Sequence, residues 1–136
     1  MYEYRVAAVT RVVDGDTIDV IIDLGSSIPY HPCVRLAGID TPESRTKDLE
    51  EKELGLVAKK HLEDQLASAA SIVIKTQKDG TGKFGRILGW LFLDGAEQSV
   101  NEGMIASGYA WEYDGGTKAK DLGLLKTIQA ESNLSL

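Results

Sequence analysis

The chain has 136 residues, 43% of them apolar, which suits one domain with one core, so residues 1–136 are expected to fold as a single unit. No apolar run approaches the ~20 residues needed to span a bilayer, and Cys33, the only cysteine, excludes an intrachain disulfide. A formal charge of −6 argues against tight non-specific coating of nucleic acid, because that affinity comes from neutralising phosphates.

The first residues enter a strand-like pattern without a basic segment leading into an apolar stretch, which predicts a cytoplasmic or otherwise intracellular protein. Residues 4–13 alternate, with Tyr4, Val6, Ala8, Thr10 and Val12 on one face, and predict a strand. Asp14-Gly15-Asp16 is a turn signal, and residues 17–24 alternate again through Ile18, Val20, Ile22 and Leu24. After a loop from Gly25 to Pro29, a third strand is predicted over 31–39, closed by Asp40-Thr41-Pro42. The period then changes. Leu54, Ala58, Leu62 and Leu66 recur every fourth position, with acids early and lysines later, so 48–69 reads as a helix. Strands follow at 71–77 and 86–93. A short helix is expected over 99–107, capped by Ser99 and stopped by Gly108. A last helix over 117–132 presents Leu122, Leu125 and Ile128 on one face. This order predicts an α+β β-barrel: a five-stranded OB-fold with a helix between strands three and four and C-terminal helices.

Three strings carry the chemistry: Val13-Asp14-Gly15-Asp16-Thr17, then Val34-Arg35-Leu36-Ala37-Gly38-Ile39-Asp40-Thr41-Pro42-Glu43, then Lys83-Phe84-Gly85-Arg86. Together they offer carboxylates and two guanidinium groups near strand ends. Such a set can hold a hard divalent cation and a phosphate at once, which is what cleaving a phosphodiester requires. An aspartate in a glycine-containing turn is commonly only a turn residue; the company of the other two strings raises Asp16 above that. Arg35 points away from Val34 and Leu36 and needs a carboxylate or phosphate partner. Glu43, just past the strand-ending proline, either reaches into a cleft or caps the coming helix.

In these strings, and more weakly through Val100-Asn101 and Met104 to Ala110, the sequence resembles the staphylococcal nuclease (thermonuclease) family, over roughly residues 6 to 112. It is more similar to small intracellular or phage-type members than to a secreted one. The resemblance implies a calcium-dependent endonuclease that hydrolyses DNA and/or RNA by in-line attack of water and leaves 3′-phosphates. It implies that Asp16, Asp40 and the Thr41 carbonyl ligate one calcium ion, that Glu43 orients or deprotonates the water, and that Arg35 and Arg86 grip the phosphoryl oxygens. Asp14 either bonds water around the metal or fixes its turn. Lys83 would touch a distal phosphate. Phe84 stands where many members carry tyrosine, keeping the ring and losing the hydroxyl bond. Tyr113 is either a base-stacking platform or a rim aromatic covering the core. The bases Arg35, Lys75, Lys78, Lys83 and Arg86 are expected near the site, with the acids Asp48, Glu50, Glu51 and Glu53 gathered on one helix start, giving weak, salt-sensitive substrate binding. A monomer with no membrane partner is the default. The competing expectation is a non-catalytic OB-fold module that binds nucleic acid or peptide; such degenerate domains usually lack some of the carboxylates, whereas Asp16, Asp40 and Glu43 are all present.

Overall fold

A computed structural model describes residues 2–78, 86–114 and 120–134. Strand β1 (Tyr2–Asp14) runs antiparallel to β2 (Thr17–Asp23), and β2 is flanked by the two-residue β3 (Pro29–Tyr30) and by β4 (Cys33–Leu36). Then β4 lies parallel to β7 (Arg86–Leu93), β7 pairs with β6 (Ile72–Lys78), and β6 returns to β1. The circuit β1-β6-β7-β4-β2-β1 closes a five-stranded barrel, the OB-type architecture expected. One strand, β1, serves two neighbours: Tyr2 to Arg5 pair with β6, and Arg5 to Asp14 pair with β2.

Alternation fails in β1. Irregularities fall between Val6 and Ala8, between Val9 and Arg11, and between Val12 and Asp14. Each inserts an extra residue and turns the strand, so the inward positions come every third residue. Val6 is buried and Val9 and Val12 pack against the core, while Ala8 and Thr10, assigned to the same face by simple alternation, are exposed. In β2 the period of two holds and Ile18, Val20 and Ile22 are buried.

The stretch 31–39 is not one strand. It breaks at Ala37 and Gly38, where Gly38 takes a φ of +77°. Beyond the break β5 (Ile39–Asp40) leaves the barrel and pairs with β8 (Trp111–Glu112) in a separate two-stranded sheet.

Helix α1 (Leu49–Ser68) is capped by the Asp48 carboxylate, which accepts from the N–H groups of Glu50 and Glu51, and it buries Leu54, Ala58, Leu62 and Leu66 against the barrel. Helix α2 (Val100–Ala106) is capped by Ser99 as expected. Its Asn101 is fully buried: Nδ2 donates to the carbonyls of Ala37 and Gly89 at 2.8 and 2.9 Å, and Oδ1 accepts from Leu91 N–H at 3.2 Å. One amide thereby fastens α2 to β7 and to the turn that precedes Asp40. Helix α3 (Leu122–Leu134) starts later than 117, with Leu125 1% exposed. Trp111 is buried and its Nε1 donates to the Asp121 carbonyl at 3.1 Å. Among the described residues no helix is long and apolar enough to cross a membrane.

His61 is half-buried and stacks on Tyr109 with ring centroids 3.9 Å apart. Burial pushes its imidazole below the ordinary value of 6.5, with Asp64 opposing. A histidine held neutral by the fold adds stability above that value and loses it as pH falls, because the unfolded chain takes up the proton first. The midpoint of thermal unfolding should therefore drop between about pH 7 and pH 5, and in His61→Phe that part of the drop should vanish, as calorimetry across the pH series will show.

Candidate active site

Asp16 lies in the turn between β1 and β2, and Asp40 lies on β5, so the two carboxylates come from a turn of the barrel and from a separate sheet. They nevertheless meet. Arg35 lies opposite Thr17 in the β2–β4 register, which sets it beside the turn. Its Nη1 is 3.2 Å from Asp16 Oδ2, and its Nη2 is 3.6 Å from Asp40 Oδ1. The Asp16 carbonyl accepts from Leu36 N–H at 2.7 Å, and Thr41 N–H donates to Asp16 Oδ2 at 3.1 Å. Segments 14–17, 35–36 and 40–41 are thus bonded into one cluster.

The charge balance there is uneven. Burial and the charge of Asp16 push the Asp40 carboxyl above the usual range, with Glu43 adding to the rise and Arg35 and Lys120 pulling against it. Asp14 accepts a hydrogen bond from the Ser44 hydroxyl, which ties the end of β1 to the segment after Pro42. Glu43 is exposed. Its N–H donates to Glu51 Oε2 at 3.0 Å, and its Oε1 is 3.9 Å from Lys120 Nζ.

Sequence reading missed what holds this cluster against α1. A Cβ built on Gly55 would come within 2.6 Å of the Glu43 carbonyl oxygen, and one on Gly15 within 2.9 Å of Ala58 Cβ. The helix backbone therefore presses on both loops that bear the carboxylates. A glycine inside a helix costs about 1 kcal/mol relative to alanine, so Gly55 was the available signal.

Arg86 opens β7 opposite Cys33, and Cys33 lies opposite Asp19 on β2. Cross-strand partners share a face, so Arg86 and Arg35 project from the same side of the barrel. Burial and Asp19 push the Cys33 thiol up, while Arg86 draws it down. Tyr113 donates its N–H to the Gly38 carbonyl at 2.9 Å and is half-buried, next to the strand pair that carries Asp40. Lys83 and Phe84 lie outside the described residues. Lys75 Nζ sits 4.9 Å over the ring of Phe92.

The staphylococcal nuclease homologue family matches residues 33–133. The chain belongs to that family. The matched span holds Arg35, Asp40, Thr41, Glu43 and Arg86, and Asp16, which precedes it, is bonded to it through Arg35 and Thr41. Among curated proteins of similar sequence, Protein ParB of Escherichia coli is 34% identical over 131 residues, covering 89% of this chain and 64% of that protein. An uncharacterised endonuclease of Escherichia coli is 33% identical over 107 residues, covering 78% of this chain and 60% of that protein. Endonuclease YhcR of Bacillus subtilis is 31% identical over 110 residues, covering 77% of this chain and 9% of that protein. The chain thus spans less than two-thirds of each of these three relatives.

Two predictions follow from this geometry. Asp40→Asn removes a carboxylate that its surroundings disfavour, so without added metal its unfolding midpoint should rise by about 3 °C in a thermal scan. Gly55→Ala should lower unfolding free energy by about 1–3 kcal/mol in denaturant titration despite alanine's better helix propensity, because the added methyl meets loop backbone.

Proposed function

We propose that this staphylococcal-nuclease-type chain is a metal-dependent nuclease that hydrolyses phosphodiesters in DNA and/or RNA. One observation carries the proposal most: Asp16, Arg35 and Asp40 converge within ion-pair distance at one edge of the barrel, with Glu43 three residues from Asp40. The endonuclease names of two relatives support the same reading.

The donor set fits a hard cation. Asp16 and Asp40 offer carboxylate oxygens, and the backbone of Thr41 lies within hydrogen-bond reach of Asp16. Among the described residues no group of three or more His, Cys, Asp or Glu side chains could hold a metal ion, so this reading rests on two carboxylates, with the Thr41 carbonyl as a third donor. Oxygen ligands of this kind, with water and phosphate filling the remainder, suit calcium. When bound, calcium would neutralise charge building on the phosphoryl oxygens.

The chain's own groups do the rest. Arg35 commits its planar fork to Asp16 and Asp40; with those carboxylates otherwise satisfied, the same fork can pair with a phosphoryl oxygen. Arg86, on the same side of the barrel, offers a second fork. Glu43, exposed and free of any backbone ladder, takes a proton from the water that attacks in line, a role worth about 10²–10⁴ in rate. Departure of the 5′-oxygen then leaves a 3′-phosphate. A site that holds phosphate and a stacked face reads little sequence, so base preference should be weak.

The test is cleavage of denatured DNA and of RNA with calcium, then with excess EDTA, Glu43→Gln being assayed alongside. Calcium-dependent cutting that falls by about 10²-fold or more in Glu43→Gln is expected. Binding without cutting would make the chain a nucleic-acid-binding module instead.

A further inference from the structure

Glu43 lies in residues 41–48, a segment without helix or strand, and its side chain is 62% exposed. A base so placed needs something to fix it. Two groups approach it. Glu51, on the first turn of α1, accepts from the Glu43 N–H at 3.0 Å. Lys120, two residues before α3, lies 3.1 Å from Glu51 Oε2 and 3.9 Å from Glu43 Oε1. The Glu51 carboxylate is 14% exposed and Lys120 40%.

The unequal distances matter. At 3.1 Å the lysine is hydrogen-bonded to Glu51; at 3.9 Å it attracts Glu43 without occupying its lone pairs. Glu51 acts as a spacer that keeps the ammonium one step back. The carboxylate of Glu43 is then oriented and still open to water.

Lys120 is itself held in place. The next residue, Asp121, receives Trp111 Nε1–H on its carbonyl and caps Leu124 N–H with Oδ1 at 3.0 Å. Trp111 is the strand partner of Asp40. Lys126 pairs with Glu50 at 2.9 Å and fastens α3 to the first turn of α1. The ammonium is therefore positioned from the same strand pair that positions Asp40. As a stabilising device a half-exposed ion pair contributes at most about 1 kcal/mol, so stability alone gives little account of this convergence.

We propose that Lys120, set back by Glu51, is a positioning residue that orients Glu43 for water activation; the inference rests on the nuclease function proposed above. Lys120 stays protonated in this role: burial opposes its charge, but Glu51, Asp40 and Glu43 outweigh burial and push its ammonium up.

Steady-state cleavage of single-stranded DNA by the full chain tests it, with Lys120→Met, Glu43→Gln and the double variant, each assayed well below its own unfolding midpoint. Lys120→Met should lower kcat about tenfold with KM within about twofold. In the Glu43→Gln background the same substitution should change the residual kcat by less than about twofold, since Lys120 acts only through Glu43. An unchanged or raised kcat in Lys120→Met overturns the inference. So does an equal loss in both backgrounds, or a rise in KM with kcat kept, since either makes Lys120 a direct contact to substrate. A wild-type chain that binds DNA and never cuts it removes the nuclease function and this role together.

Discussion

Two carboxylates drawn close together repel, and Arg35 is the cation between them. Its guanidinium reaches Asp16 on one side and Asp40 on the other. Taking away the guanidinium would leave the two acidic groups facing each other uncompensated, which is costly. The route of the backbone serves this contact. The β2–β4 register sets Arg35 beside Thr17, and the break at Ala37 and Gly38 lets the chain leave the barrel in time for Asp40 to come back toward the guanidinium. Even so, Asp40 remains disfavoured as an anion.

Around that contact, helices act as clamps more than as walls. Helix α1 presses on the Asp14–Asp16 turn through Ala58 and on the Glu43 loop through Gly55. Helix α2 reaches the 37–38 turn through one buried amide with all its bonds made, Asn101. Helix α3 joins the same region through Asp121 and Trp111. Site residues on irregular segments are thus held by elements that are themselves packed in the core, the arrangement that gives loop residues a defined geometry.

The helices were legible in the sequence because their signals are local: Ser99 at the cap of α2, and Leu54, Ala58, Leu62 and Leu66 in α1 at a spacing only a helix satisfies. So were the barrel and Arg35 as a residue in need of an anionic partner. Strand β1 was misread because bulges depend on the neighbouring strand, and no local pattern in Val6, Val9 and Val12 announces them. The third strand was drawn too long because Gly38 passes unnoticed inside an apolar run. Lys120 was invisible: a lysine among polar residues says nothing until the fold carries it some seventy positions back to Glu51.

The division of β1 between two partners has a mechanical consequence. Its first residues form the whole β1–β6 seam, four register pairs from Tyr2 to Arg5, while the longer remainder grips β2. Tension applied at the amino end would load those few pairs one after another, like a zip. The barrel would open into a curved sheet along that line while the Asp16 turn, at the far end of the same strand, stayed clasped.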